Sequence, residues 1–198
     1  MPSGQASRLG FWNLAQSPTP PGPGEVDPTP INILADYIVV DYSFDSGRDL
    51  DTRTRFETPL ITTNYIGWGT GSSSIGNVLY WGGDNTGTGL ESVLINVNNY
   101  RALVPGTYPT EFQVNFRCFW YGSVGTNPVY LTAYLYTGGT MLKQGFTWVN
   151  PTATSTSVLA STGKVITLLT RNSSTTGEAL GNIVYNVNTG VGAINITP

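Results

Sequence analysis

From residue 36 onward, apolar residues come in short bursts that alternate with polar ones or run continuously, with no helical spacing. The first burst is Asp36-Tyr37-Ile38-Val39-Val40-Asp41-Tyr42-Ser43-Phe44, rich in the β-branched and aromatic residues of strands. Similar runs predict strands over 77–81, 92–97, 110–121 and 129–136. In the last of these, Tyr130, Tyr134 and Tyr136 share one face and Val129, Leu131, Ala133 and Leu135 the other. Two apolar faces predict an interior or interface strand. Later strands are predicted over 145–149, 157–160, 164–170, 183–187 and 193–196. Ser46-Gly47, Pro105-Gly106, Asn127-Pro128, Gly138-Gly139, Asn150-Pro151 and Thr189-Gly190 mark turns between them. About eight to ten short strands at this spacing predict an all-β fold, a β-sandwich or jelly roll. No stretch has helical periodicity and no internal repeat is visible.

Residues 1–35 follow a different rule. Seven of the 13 prolines fall there, and Pro18-Thr19-Pro20-Pro21-Gly22-Pro23-Gly24 predicts an extended, polyproline-like spacer. Upstream lies an apolar patch with Leu9, Phe11, Trp12 and Leu14. An apolar patch on a stiff spacer predicts an arm whose four large residues dock on a partner, against the alternative that they fold back on their own domain. The expected organisation is a Pro-rich arm, 1–35, and a β-sandwich domain, 36–198.

Composition narrows the function. Charged residues make up only 11% of the chain and aromatics 12%, the reverse of a disordered sequence. The absence of His excludes Ser-His-Asp and Cys-His catalytic devices and imidazole metal ligands. The single Cys118 excludes an intramolecular disulfide or a zinc cluster and reads as a core residue. The seven Arg and two Lys are scattered in a chain of net charge −3, so no nucleic-acid surface is expected. No apolar run reaches the roughly 18 residues of a membrane span. The first residues, Met1-Pro2-Ser3-Gly4-Gln5, carry no signal-peptide pattern. The expectation is a structural or binding protein, not an enzyme.

Two groups of residues carry candidate chemistry. Seven of the twelve acids lie between 41 and 91, which makes this the region to search for a hard-cation site. Asp49 and Asp51 are two apart, so an extended chain puts both carboxylates on one face. Gly82-Gly83-Asp84-Asn85 and then Glu91 supply further oxygens, and calcium takes six to eight such ligands. Asp49, Asp51, Asp84 and Glu91 are therefore the candidate ligands, and calcium the one cofactor suggested. The same residues also suit ordinary turns, with Arg48, Arg53 and Arg55 as ion-pair partners; both readings stay open. Among the aromatics, Trp68, Trp81 and Trp120 are candidate sugar-stacking or interface residues.

The opening Gly4-Gln5-Ala6-Ser7-Arg8-Leu9-Gly10-Phe11-Trp12-Asn13-Leu14, its Pro-rich spacer, and Asp36 to Tyr42 leading to Asp49-Leu50-Asp51-Thr52-Arg53-Thr54 resemble virion structural proteins of tailed bacteriophages. The resemblance implies a capsid-decoration, head-fibre or tail-associated subunit located in the virion. Its expected partners are other virion proteins and further copies of itself. Residues 49–136, with Asp49-Leu50-Asp51, Gly83-Asp84-Asn85 and Glu91-Ser92, are also similar to bacterial tellurite-resistance-type and Asp-Leu-Asp β-sandwich domains. Some of those bind calcium, which implies a ligand role for Asp49, Asp51, Asp84 and Glu91. Here only Glu91 follows the Gly-rich loop, where those domains carry an acidic cluster. The alternatives are a carbohydrate-binding or adhesion module, with a host surface glycan as partner, and a self-polymerising extracellular filament subunit.

Overall fold

A computed structural model describes residues 30–87 and 89–198. The chain runs through β1 (Ile31–Asn32), β2 (Tyr37–Ser43), β3 (Asp49–Thr58), β4 (Ser74–Ile75), β5 (Leu79–Trp81) and β6 (Leu90–Asn96). A short helix, α1 (Val97–Leu103), precedes β7 (Glu111–Tyr121), β8 (Tyr130–Thr137), β9 (Leu142–Gln144) and β10 (Thr147–Val149). The chain ends with β11 (Ser155–Ala160), β12 (Glu178–Asn186) and β13 (Val191–Ile196).

Two antiparallel sheets pack face to face as a β-sandwich. One has the order β1-β13-β12-β7-β3 and the other β11-β8-β2-β6-β5-β4. The β9–β10 ribbon packs on β6 and β2 of the six-stranded sheet. Alternation decides which side chains meet between the sheets. Ile38, Val40 and Tyr42 of β2 turn inward, as do Val114, Phe116, Cys118 and Trp120 of β7, and all are fully buried. Val129 and, on β8, Leu131, Ala133 and Leu135 are buried too, while Tyr134 and Tyr136 lie on the other face. β8 sits between β11 and β2, as its two apolar faces require.

Three differences from the sequence reading have physical causes. α1 was not visible because it is short and held by packing rather than by periodicity. Asn96 caps it through its side-chain oxygen, and Tyr100 stacks on Phe56 at 5.6 Å beside Phe112. Residues 164–170 do not form the predicted strand. Lys164 bonds to Val129 in front of β8 of one sheet, while Leu168 and Thr170 bond to Trp120 of the other. A segment shared between two sheets cannot join either ladder. It closes the side of the sandwich, with the Trp120 indole N–H donating to the Ile166 carbonyl at 2.8 Å.

The third concerns the boundary at residue 35. Ile31 and Asn32 pair with Gly192 and Val191, and Ala35 is fully buried. The Tyr185 hydroxyl donates to the Ile33 carbonyl at 2.6 Å and accepts from the Ala35 amide at 2.8 Å. Residues 31–35 thus belong to the sandwich. The expected docking residues Leu9, Phe11, Trp12 and Leu14 lie outside the described residues.

Candidate cation site

β3 is an edge strand of the five-stranded sheet, and its sequence alternates strictly. Leu50, Thr52, Thr54 and Phe56 face the interior; Asp49, Asp51, Arg53 and Arg55 take the other face. In the sequence this segment stands out by its acids, and in the structure it is a ten-residue strand. Its outer edge is covered at Thr54, which exchanges two backbone hydrogen bonds with Ile66. Gly67 follows, so close that a Cβ there would stand 1.9 Å from the Thr52 carbonyl oxygen.

The turn between β5 and β6 brings Asp84 to this strand. One carboxylate oxygen each from Asp49, Asp51 and Asp84 lies within 4.8 Å of the others. Asp51 is 2% exposed, and its Oδ2 has no hydrogen-bond partner. Asp49 Oδ1 and Asp84 Oδ1 are likewise buried without a partner. Three convergent carboxylates, each with a buried oxygen that has no donor, are an unfavourable arrangement for the protein alone. Burial pushes the Asp51 carboxyl up to about 7, the charges of Asp49 and Asp84 add to the rise, and Arg53 opposes it. Asp49 is raised by burial and then by Asp84, and Asp84 by burial.

Of the four expected ligands, Glu91 stands apart. It is fully buried inside the sandwich and accepts hydrogen bonds from Thr52 Oγ1, Trp81 Nε1 and the Asn85 amide. Burial lifts its carboxyl to about 8 even though these three bonds act the other way. Its oxygens are already engaged, so Glu91 is a brace and not a member of the carboxylate cluster. It ties Thr52, the neighbour of Asp51, to Asn85, the neighbour of Asp84. Asn85 shapes the turn further: its Nδ2 donates to the Leu90 carbonyl at 2.7 Å and its Oδ1 accepts from the Gly87 amide at 3.1 Å. Gly89 sits with φ of 77° where a Cβ would lie 2.4 Å from the Phe44 carbonyl oxygen, so only glycine lets the turn close on the end of β2.

Arg53 is the residue that sequence reasoning missed, having cast it as a surface ion-pair partner for Asp49 and Asp51. It is 1% exposed and forms no salt bridge with either. Its guanidinium lies 4.9 Å from the Phe119 ring centre and donates to the carbonyls of Thr52, Ser173 and Thr175. It fastens the 173–175 segment over β3. The alternation of β3 was the available signal, since it puts Arg53 on the same face as Asp51.

The three tryptophans singled out from sequence do not form one platform. Trp120 is fully buried. Trp81 packs partly against the core and spends its indole N–H on Glu91. Trp68 lies 5.8 Å from Tyr121, whose ring carries Arg171 at 5.4 Å. Cys118 is buried, and burial drives its thiol far above the ordinary range.

The carboxylate set suits a hard divalent cation, which prefers oxygen ligands and offsets their mutual repulsion. No family model, no curated protein and no solved structure matches the chain.

Proposed function

We propose that this protein is a non-catalytic structural subunit of a bacteriophage virion, a capsid-decoration or tail-associated component, whose β-sandwich is set by a bound divalent cation. The cation is calcium in this reading, held by Asp49, Asp51 and Asp84. The observation that carries the cation is the convergence of three carboxylates, each with a buried oxygen that lacks a partner, one of them on a residue that is 2% exposed. Bound there, the ion supplies charge neutralisation and joins β3 to the β5–β6 turn. The virion assignment is supported by the resemblance of residues 4–14 and 36–54, by the Pro-rich stretch before residue 31, and by a composition low in Lys and devoid of His.

Light scattering coupled to size exclusion, on the full chain and on a chain lacking residues 1–29, tests the reading with calcium and with chelator. A defined oligomer, or attachment to a capsid, that needs residues 1–29 supports it. A monomer that binds no capsid or tail with or without those residues overturns the structural role. Titration calorimetry tests the cation separately: calcium binding by the parent that is lost in Asp84→Asn is expected, and no heat from the parent overturns the site.

The filament reading has one observation behind it. β1 covers only Val191 and Gly192 of β13, so Ala193 to Ile196 have no ladder partner on that side among the described residues. Filaments formed by the pure protein would favour strand addition at this edge over docking on a capsid.

A further inference from the structure

The outer face of the six-stranded sheet carries a groove remote in character from the cation site. It lies between the sheet and the β9–β10 ribbon, with a volume of about 250 Å³. Tyr37 of β2, Tyr80 of β5 and Trp148 of β10 supply aromatic walls, and Leu94 of β6 is buried beneath them. The Tyr80 and Trp148 rings stand 6.0 Å apart and are tilted by 59°, so they offer two differently inclined faces to one occupant. The aromatic surface continues along the sheet. Tyr136 lies opposite Tyr37 in register, and Tyr134 stacks beside it at 6.5 Å.

Polar groups are set among these rings. The Asn96 side-chain oxygen is used in capping α1, which leaves its Nδ2 unengaged, and among the described residues the hydroxyls of Tyr37 and Tyr80 have no partner. Thr140 adds another hydroxyl at the rim. No charged side chain lines the groove.

We propose that this groove binds a neutral polysaccharide, with pyranose rings seated against Tyr80 and Trp148. A pyranose has an apolar C–H face and a rim of hydroxyls, which match an aromatic wall edged with free donors and acceptors. An anionic or cationic ligand would find no counter-charge among the lining residues, Lys143 opposite Trp148 in the ribbon being outside the lining, and would lose hydration. β2 offers an extended peptide no ladder to join, because it is already paired with β6 and β8 along its whole length. The proposal does not depend on the cation or on the virion role.

Native gel electrophoresis of the full chain, in gels containing dextran, starch, hydroxyethylcellulose, galactomannan or arabinoxylan, tests it. Retardation by at least one of these polymers is expected, unchanged by added salt because the ligand carries no charge. Trp148→Ala and Tyr80→Leu should each weaken it by at least about tenfold, the cost of losing a central aromatic contact. Trp68→Ala, outside the groove, should leave it intact. Melting curves identify any variant that fails to fold; Tyr80→Leu keeps the apolar volume and decides the matter if Trp148→Ala does not fold. Absence of retardation in every gel overturns the proposal. So does binding that persists in folded variants at both positions, and so does an equal loss in Trp68→Ala. If Trp148→Ala instead changes the oligomeric state and no polymer binds, the groove is a subunit interface and the proposal fails.

Discussion

Asp45 and Asp51 belong to the same stretch of chain but titrate in opposite directions. Asp45 lies near the surface and accepts hydrogen bonds from the Thr126 and Asn127 amides and the Asn127 side chain, which bring its carboxyl down to about 2. Asp51 is buried, has an oxygen without a donor, and rises to about 7. The signs of their effects on stability follow. A carboxyl raised from 3.8 to about 7 favours the folded state fully below pH 4, and that contribution is lost as pH rises through 7. Glu91, raised from 4.5 to about 8, acts in the same sense, whereas the contribution of Asp45 is lost only as pH falls through about 2. Without divalent cations the melting temperature should therefore fall between pH 4 and pH 8, and calcium should reverse the fall increasingly as pH rises. A calcium effect equal at pH 5 and pH 8 in thermal melts would contradict this. Asp51→Asn removes one of three like charges. At pH 8 it should raise the melting temperature of the calcium-free protein and abolish the calcium-dependent increase.

At the scale of elements, side chains close the sandwich where the ladders do not. Trp120 joins β7 to the 164–170 segment through the Ile166 carbonyl and fills the space between the sheets. Trp120→Ala should cost about 3–5 kcal/mol in denaturant unfolding, as expected for emptying a buried tryptophan site. Gly67 has φ of 137° against the β3 backbone, where any Cβ collides with a carbonyl that cannot move independently. Gly67→Ala should cost at least about 2 kcal/mol in the same measurement. β7 was legible from its alternation and β2 and β8 from their runs of β-branched and aromatic residues. β3 was less so although it alternates, since Thr and Arg replace apolar residues at several of its buried positions. Their hydrogen bonds, Thr52 to Glu91 and Arg53 to three carbonyls, exist only after the sheets have met.

For the whole molecule, the N-terminal segment enters the sandwich at β1. The Tyr185 hydroxyl and Arg101, which donates to the Ala35 carbonyl at 3.0 Å, hold that entry. Removing residues 1–35 should lower the melting temperature by several degrees below that of a chain lacking 1–29. Equal melting of the two truncated chains would show that β1 adds nothing to the domain.

The order of residues by itself determined an all-β chain with a Pro-rich beginning, because period-two alternation, turn residues and proline act locally. It also marked Asp49, Asp51, Asp84 and Glu91 as candidate cation ligands, since residue type and the Asp49–Asp51 spacing are local facts too. Only the tertiary structure decided that these three converge while Glu91 turns inward as a brace, that Trp120 is core, and that Tyr37, Tyr80 and Trp148 line one groove. Each of those outcomes depends on which strands become neighbours. That is set by the burial of both sheet faces together, a property of the packed molecule and not of any one segment.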